Sequence, residues 1–294
     1  MNNYRCLFII NPISGLGQQK DLPELIHKHL DKSRFQYDII ITEYAGHGKK
    51  LARKMHREFD ILVAVGGDGT INEIASGLID SEAALGVIPL GSGNGFARHL
   101  KLSTQPLKAI QQLNRSQRAY MDTGLLNGHP FFNVSGTGFD GQISKIFAQQ
   151  TKRGYLTYAR LVMEELQNFQ PYLYEFELDG KQYSEKFFLI AFANTSQYGN
   201  NAIIAADAMT DDGLLDIVMI RPFPHLHLPS FTMMAFFRRL HLSPYVKIVK
   251  AQQFRLKNPQ GAPIHIDGEY LNQDKQIEII TRPNTLQVMV PLES

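Results

Sequence analysis

Four short runs of continuously apolar residues divide the first 125 residues: Leu7–Ile10, Ile39–Thr42, Ile61–Val65 and Leu85–Pro89. Such runs, without polar alternation, are typical of strands that are buried on both faces of a parallel sheet. Between them lie segments with helical spacing, namely Asp21–Leu30, Gly48–Phe59 and Thr70–Leu78. The alternation of strand and helix predicts an α/β domain.

The pattern changes after about Gly124. One long helix is predicted at Tyr155–Phe169, and β-like segments follow: Tyr172–Leu178, Phe187–Asn194, Leu214–Ile220, Val246–Leu256, Ile264–Ile266, Ile277–Thr281 and Leu286–Val290. Many strands with few helices favour an antiparallel sandwich or barrel. We therefore predict an N-terminal α/β domain at 1–125 and a C-terminal β-sandwich at 126–294, whose last strand could return to the first domain.

Composition and charge narrow the classes of function. The 294 residues carry 30 Lys and Arg against 28 Asp and Glu, a net charge of +2, which argues against a nucleic-acid partner. The single cysteine, Cys6, permits neither an internal disulfide nor a cysteine metal cluster. No apolar run approaches the roughly 20 residues of a transmembrane helix, and Leu7–Ile10 is too short for a signal peptide. These features predict a cytoplasmic protein without a transmembrane segment.

Glycine-rich loops follow three of the predicted strands: Asn11–Gly17, Gly66–Glu73 and Gly91–Gly95. Ligands of open α/β sheets bind beyond the carboxyl ends of the strands, and glycines let backbone N–H groups approach phosphate oxygens. Thr70 and Glu73 match a capping box, which predicts a helix that begins at about Thr70. Asp68 and a bound phosphate are both negatively charged. A carboxylate at this position therefore indicates that a metal ion or a polar group of the nucleotide lies between them. Ordinary connections are the alternative, but three such loops together favour a nucleotide site.

Two nucleotide motifs are less informative. No P-loop pattern occurs. The segment Gly136–Gly141 matches the dinucleotide pattern, yet it lies outside the α/β half, and we predict that it is a loop lining a cleft.

The motifs Asn11-Pro12-x-Ser14-Gly15, Gly66-Gly67-Asp68-Gly69-Thr70-x-Asn72-Glu73 and Pro89-x-Gly91-Ser92-Gly93-Asn94 resemble the diacylglycerol kinase catalytic-domain family. In length and motif order the chain is similar to the soluble bacterial lipid kinases of that family. The resemblance implies a nucleotide-binding α/β domain, a β-sandwich, and transfer of the γ-phosphoryl group of ATP to a membrane lipid. The acceptor could be diacylglycerol, a sphingoid base or a phospholipid headgroup, met transiently at the inner face of the membrane. A homodimer is also plausible.

The resemblance also assigns roles to residues. The expected ATP contacts are Asn11, Pro12, Ser14, Gly15, Thr42, Gly66, Gly67, Asp68, Gly69, Thr70, Asn72 and Ser92. Asp68 is expected to orient the magnesium ion of ATP, and Asp267 or Glu269 to be the catalytic base. A structural magnesium ion is expected on the Asp212 carboxylate and the carbonyls of Met209 and Leu214. From the residues alone, the Asp-Gly pair at 267–268 is also typical of a hairpin turn.

Several alternatives stay open. Gly95 stands where many bacterial diacylglycerol kinases have aspartate, and Asp140 could supply part of the missing charge. The Gly-Gly-Asp-Gly-Thr motif is shared with NAD kinases, so phosphorylation of a nucleotide ribose is the nearest rival. A regulator that binds ATP or lipid without catalysis is the other. The segment from Phe231 to Leu240, rich in Met and Phe, predicts either a core helix or a surface that touches membrane.

Overall fold

The computed structural model describes residues 3–14, 21–150 and 155–292. These residues form two compact units. The first unit runs to Thr123 and resumes at Pro283, and the second is Gly124–Arg282.

The first unit contains a parallel sheet. Its strands are β1 (Tyr4–Ile10), β2 (Phe35–Ile41), β3 (Ile61–Gly66) and β4 (Ala84–Pro89), in the order β2-β1-β3-β4. The long last strand, β16 (Gln276–Pro291), pairs with β4 in parallel through Val288 and Leu85. Every residue of β3 and β4 is buried, which explains why these strands lack polar alternation. The predicted α/β class is confirmed.

Five helices belong to this unit: α1 (Leu22–His29), α2 (His47–Met55), α3 (Asp68–Leu78), α4 (Gly95–His99) and α5 (Pro106–Leu113). The predicted start of α3 at Thr70 is wrong, because the helix begins at Asp68. Glu73 does not complete a capping box there. Its carboxylate accepts hydrogen bonds from the backbone N–H groups of Gly46 and Gly48, at 2.7 and 3.1 Å. It therefore satisfies N–H groups at the start of α2, which have no partner within that helix.

Strand β5 (Ser116–Leu126) leads into the second unit. The elements that follow are β6 (His129–Phe131), β7 (Val134–Gly138), α6 (Phe139–Ala148), α7 (Tyr155–Asn168), β8 (Tyr172–Leu178), β9 (Lys181–Phe187), β10 (Leu189–Ala193), β11 (Leu215–Ile220), α8 (Leu228–Phe236), β12 (Val246–Ala251), β13 (Gln253–Lys257), β14 (Ile264–Ile266) and β15 (Glu269–Asn272). Short 3-10 helices at His225–His227 and Leu240–Leu242 flank α8.

The second unit is a β-sandwich with helices on one outer face, which confirms the predicted class. Strands β12-β11-β10-β7-β14-β15 form one antiparallel sheet, and β13, β8, β9 and the first part of β16 form the other. Side chains alternate along β11. Ile217 and Met219 join the core shared by both sheets, whereas Val218 and Ile220 join the core beneath α6, α7 and α8. Because both faces are covered, the strand is apolar at every position except Asp216, which is paired with Lys250.

Two predicted strand assignments are wrong. Val246–Leu256 is not one strand, because strand pairing is interrupted at Gln252. There the chain passes from β12 in one sheet to β13 in the other. Conversely, the two strands predicted around Pro283 and Asn284 are one strand, β16. Within this strand Asn284 adopts a left-handed backbone conformation (φ 55°). Its N–H donates a hydrogen bond to Asp122 Oδ1 at 2.8 Å.

The segment Gly136–Gly141 is also not a loop, since β7 runs directly into α6. A Cβ atom on Gly141 would lie 2.0 Å from the carbonyl oxygen of Pro263, and one on Gly136 would lie 2.9 Å from that of Ile190. These glycines allow backbone segments to pack closely, so the dinucleotide-like spacing has a structural cause.

Candidate active site

In the first unit, Asn11 connects the end of β1 to the start of α3. Its backbone N–H donates to the Val65 carbonyl at 3.0 Å, and its Nδ2 donates to Thr70 Oγ1 at 3.0 Å. Its Oδ1 accepts the Ile13 N–H at 3.1 Å, and its carbonyl accepts the Ser14 N–H at 3.3 Å. The side chain therefore shapes the turn after β1 and holds it against the loop after β3.

The loops after β3 and β4 approach each other through glycine. A Cβ atom on Gly91 would lie 2.9 Å from the Cα of Gly67, and one on Gly66 would lie 2.4 Å from Thr70 Oγ1. The Leu90 N–H also donates to the Gly66 carbonyl at 2.8 Å. Side chains at these positions would push the two loops apart. Because the residues are glycines, the loops expose only backbone atoms at this edge of the sheet.

Asp68 is the first residue of α3, and its carboxyl group is largely enclosed. Burial raises the pKa of its carboxyl above the ordinary value of 3.8, although hydrogen bonds from the backbone N–H groups of Phe96, Asn94 and Gly95 act in the opposite direction. Part of the residue reaches solvent, yet its Oδ1 atom is enclosed and has no hydrogen-bond partner. A buried carboxylate oxygen without a partner lowers the stability of the folded protein, and such groups are found at functional sites.

The surroundings of Asp68 fit a magnesium ion. Mg²⁺ takes oxygen ligands and is commonly bound through one or two carboxylates together with substrate phosphates. The unpartnered Oδ1 of Asp68 lies at the N-terminus of α3, where partial positive charge favours phosphate. Asp68 can therefore hold a divalent cation that arrives with a nucleotide.

The other predicted nucleotide contacts lie after β1, β2 and β4 and in α3. Thr42 directly follows β2 and donates its N–H to the Ile10 carbonyl at 2.9 Å. Asn72 accepts the Ser76 hydroxyl at 3.4 Å within α3, and Ser92 is exposed after β4. Pro12 and Gly69 lie in the turn after β1 and in the first turn of α3. Gly15 lies outside the described residues.

Gly95 makes a backbone contribution of its own. It is buried at the start of α4, and its N–H is one of the backbone groups that bond the Asp68 carboxylate. Asn94, just before it, takes the left-handed conformation (φ 50°) and donates Nδ2 to the Gly91 carbonyl at 2.7 Å. The turn thus aims several N–H groups at the Asp68 carboxylate.

In the second unit, the Asp-Gly pair at 267–268 forms the two-residue turn between β14 and β15. Both residues have positive φ, 48° and 89°. The Asp267 side chain does more than make a turn. Its Oδ1 accepts the Asn133 N–H at 2.9 Å and its Oδ2 accepts the Phe132 N–H at 3.0 Å, while its own N–H donates to Ser135 Oγ at 3.3 Å. The carboxylate is therefore fixed in one orientation. Glu269 is exposed.

A buried network beneath this turn was missed from the sequence. His265 Nδ1 accepts the Gly268 N–H at 3.1 Å, so the ring proton lies on Nε2, which contacts Asp140 Oδ2 at 3.0 Å. The Tyr198 hydroxyl donates to the same oxygen at 2.8 Å, and the Gly141 N–H donates to Asp140 Oδ1 at 2.8 Å. The signal that could have revealed the network is a histidine between two isoleucines of a strand, two residues before the turn. Asp140 is thus engaged within its own unit, which leaves the proposed compensation for Gly95 without support.

The predicted structural magnesium loop holds an ion pair. Asp212 Oδ2 contacts Lys250 Nζ at 2.6 Å, and its Oδ1 accepts the Leu214 N–H at 3.0 Å. Lys250 Nζ also lies 3.5 Å from the Asp216 carboxylate, whose pKa is raised by burial. Met209 is exposed, and the described residues contain no group of three or more His, Cys, Asp or Glu side chains suited to a metal ion. The Lys250 ammonium group therefore neutralises the Asp212 carboxylate in this structure, and a magnesium ion on Met209, Asp212 and Leu214 stays a prediction.

The α/β unit holds glycine loops and a buried carboxylate, and the sandwich unit holds an anchored carboxylate of its own. Each of these features is typical of enzymes that transfer phosphoryl groups. Sequence comparison specifies the class. The family described as "Diacylglycerol kinase catalytic domain" matches residues 5–126, and "YegS C-terminal NAD kinase beta sandwich-like domain" matches residues 133–290. The chain belongs to the diacylglycerol kinase catalytic-domain family, whose members are ATP-dependent lipid kinases. The resemblance inferred from the motifs is confirmed.

Individual relatives agree with this assignment. A diacylglycerol kinase from Bacillus subtilis is 30% identical over 274 residues, covering 90% of each chain. A YegS-like lipid kinase from Chromohalobacter salexigens is 28% identical over 262 residues, covering 86% of this chain and 84% of the relative. The crystal structure of a diacylglycerol kinase from Bacillus anthracis has a TM-score of 0.77 at 20% identity and covers 99% of this chain and 98% of that one, so it shares the fold. None of the described helices has the length and apolarity needed to cross a bilayer.

Proposed function

We propose that this protein transfers the γ-phosphoryl group of ATP to a hydroxyl of diacylglycerol at a membrane surface. The names of the Bacillus subtilis relative and of the matching family support diacylglycerol over a nucleotide ribose as acceptor. The observation that carries the proposal is Asp68, whose enclosed Oδ1 has no partner at the start of α3. A regulator that binds ATP with Mg²⁺ would need the same group, so the assay below distinguishes it from a kinase.

The ATP phosphates would lie against the bare backbone of the glycine loops in the first unit. Gly66, Gly67 and Gly91 bring two loop backbones together without side chains, which suits close contact with phosphate oxygens. Asp68 would hold the magnesium ion of ATP. When bound, that ion neutralises negative charge on the phosphates during phosphoryl transfer.

Asp267 is the base in this proposal. Both oxygens of its carboxylate accept backbone N–H groups, which hold the group in one orientation, and a positioned carboxylate can take the proton of a hydroxyl. The acceptor hydroxyl would give its proton to Asp267 as its oxygen bonds to the γ-phosphorus. The bond from that phosphorus to the bridging oxygen of ADP would break. Glu269 is exposed and belongs to the same turn, where it would contribute negative charge.

The acceptor also determines where the enzyme works. Long-chain diacylglycerol resides in a bilayer, so a kinase that acts on it must visit the bilayer surface. In this proposal the association with the bilayer is transient. No nucleic-acid partner forms part of the proposal.

The test measures transfer of labelled phosphate from ATP and Mg²⁺ in mixed micelles. The acceptors are diacylglycerol, monoacylglycerol, sphingosine, ceramide and phosphatidylglycerol, with NAD as a soluble control. The variants are Asp267→Asn and Glu269→Gln. Asp179→Asn is the matched control, because Asp179 and Gly180 form an exposed turn of the same type in the same unit (φ 52° and 72°).

We expect labelled phosphatidic acid, a loss of roughly 10²–10⁴-fold in kcat for Asp267→Asn, and no change for Asp179→Asn. A larger loss for Glu269→Gln than for Asp267→Asn would transfer the role of base to Glu269. Label on NAD alone would refute a lipid acceptor. ATP binding without label on any acceptor would favour the regulator.

A further inference from the structure

Helix α8 exposes apolar side chains on its outer side. It buries Phe231 in the core of the second unit, where that ring stacks on Phe223 at 4.2 Å. Met233, Phe236 and Phe237 are spaced three and four residues apart, so they share another side of the helix. The 3-10 helices on either side, which pack against α8, add Leu226 and Leu242. The exposed fractions of these five residues are 87% for Leu226, 55% for Met233, 46% for Phe236, 63% for Phe237 and 63% for Leu242.

We call these five residues, with Arg238 and Arg239, the α8 surface. Large apolar side chains grouped on one short segment are unusual on a protein that meets only water. From its sequence, the segment could be either a core helix or a membrane-touching surface. The structure combines the two alternatives, because Phe231 is core whereas most of the other large side chains of the segment face solvent.

The charge of this surface distinguishes between two partners that could cover it, an anionic bilayer and a second copy of the chain. From Ile217 to Ile266 the chain has no Asp or Glu, but it has seven Lys and Arg residues: Arg221, Arg238, Arg239, Lys247, Lys250, Arg255 and Lys257. Arg221, Lys250, Arg255 and Lys257 pair with acidic residues from other parts of the second unit.

The two arginines at the end of α8 differ from those four cations. Arg238 donates to the Ala206 carbonyl at 2.6 Å, and neither Arg238 nor Arg239 forms an ion pair within the described residues. Both are exposed next to Phe236 and Phe237. Apolar side chains beside unpaired cations match an interface of acyl chains and anionic headgroups.

A second copy of the chain suits this surface less well. A two-fold contact would bring the same residues of both copies together. The arginines of the two copies would then approach each other, and the segment offers no acidic side chain to pair with them. An anionic bilayer supplies the missing negative charge in its headgroups.

We propose that the α8 surface docks the protein on bilayers that contain anionic phospholipid. Phe236, Phe237 and Met233 enter the acyl boundary, and Arg239 contacts headgroup phosphates. The proposal rests on the proposed function, since it identifies the surface through which a lipid kinase reaches its substrate. The docking itself requires no catalysis and can be measured separately.

The experiment is co-sedimentation of the full-length protein with sucrose-loaded vesicles of phosphatidylcholine, with and without 30 mol% phosphatidylglycerol (about the anionic content at which such attraction is strong). The variants are F236S/F237S and Arg239→Glu. Tyr120→Ser, which removes an aromatic ring that is 57% exposed in the first unit, and Lys108→Glu, at an exposed lysine of α5, are the matched controls. Thermal unfolding verifies the fold of each variant, and kinase activity is measured on a short-chain diacylglycerol below its micelle concentration.

We expect wild-type binding only with phosphatidylglycerol, a decrease of more than about tenfold in the partition coefficient for F236S/F237S, and roughly fivefold or more for Arg239→Glu. Both controls should bind as wild type, and activity on the dispersed substrate should be unchanged. Wild-type partitioning by both α8 variants would overturn the proposal. Dissociation of a dimer by F236S/F237S, seen in sedimentation velocity, would make a second copy the occupant instead. If binding follows the expectation but no lipid is phosphorylated, the docking surface stands and the proposed function fails.

Discussion

Replacing Asp68 by asparagine should make the protein more stable at neutral pH while it abolishes activity. The native state holds this carboxyl with a raised pKa because burial disfavours its charged form. A group whose pKa is raised by folding contributes stability below its unfolded pKa and loses that contribution as the pH rises through its folded pKa. At pH 7 the ionised Asp68 therefore opposes folding, and an uncharged amide does not.

The structure sets the size of the effect. In the variant, the amide oxygen of asparagine can still accept the N–H groups of Phe96, Asn94 and Gly95. The enclosed position that Oδ1 occupies in wild type then holds an uncharged atom. A buried charged acceptor without a partner costs about 1–3 kcal/mol or more. We therefore expect Asp68→Asn to raise the free energy of unfolding by about 1–3 kcal/mol at pH 7. At roughly 2–4 °C per kcal/mol this is an increase of several degrees in Tm.

The assay is urea unfolding between pH 4 and pH 8, with and without ATP and Mg²⁺. The gain from Asp68→Asn should be small near pH 4 and grow with pH as the wild-type carboxyl ionises. Without the Mg²⁺ ligand, the variant should lose most of the stabilisation that ATP and Mg²⁺ give wild type, which is about 2.7 kcal/mol at 100 times Kd. Asp38→Asn, at an exposed position of β2, is the control and should match wild type in both respects. A gain independent of pH, or an unchanged response to ATP and Mg²⁺, would refute the reasoning.

Three further substitutions test the second unit. Gly124→Ala should lower the free energy of unfolding by about 1–3 kcal/mol, measured in urea, because its Cβ would lie 2.2 Å from Cζ of Phe131. Lys250→Met should cost about 1–2 kcal/mol by calorimetry at pH 7 and less at pH 4, because it removes the cation beside Asp216, whose side chain is 6% exposed. His265→Gln should lower kcat about tenfold with an unchanged KM for ATP, because the ring holds the turn that carries the proposed base.

Matched controls accompany the substitutions of Lys250 and His265. Lys247→Met, at an exposed lysine of β12, should leave stability within about 0.5 kcal/mol of wild type. His129→Gln, at an exposed histidine of the second unit, should leave kcat unchanged. Wild-type stability of Gly124→Ala would mean that Phe131 moves aside without cost. If Lys250→Met instead made stability depend on Mg²⁺, the ammonium would occupy a place that magnesium can take.

Much of the fold could be predicted because it rests on short-range patterns. The apolar runs of β3 and β4 are buried throughout, as their lack of alternation indicated. The Asp-Gly pair at 179–180 forms a turn with two positive φ angles, which few other residue pairs adopt readily. The glycine loops at the strand ends likewise indicated a phosphate site from the residue pattern alone, because backbone that is free of side chains suits phosphate.

Other features depended on distant segments. Glu73 looked like the end of a capping box, but it bonds N–H groups of Gly46 and Gly48, more than 20 residues earlier in the chain. The glycines of 136–141 matched a nucleotide motif, but Gly141 is needed because Pro263 packs against it. A local pattern cannot show which partner a side chain will meet.

The sequence by itself determined the two structural classes, the glycine loops, the family and the acidic residues that we assign to the reaction. Only the tertiary structure decided which of those acids are anchored. Asp267 is fixed by the Phe132 and Asn133 amides, and His265 contacts Asp140, so these bonds join segments more than 100 residues apart. The tertiary structure also showed that Asp212 contacts Lys250. The physical reason is that hydrogen bonds and ion pairs depend on distances in space, whereas hydrophobic spacing and turn preference depend on neighbours along the chain.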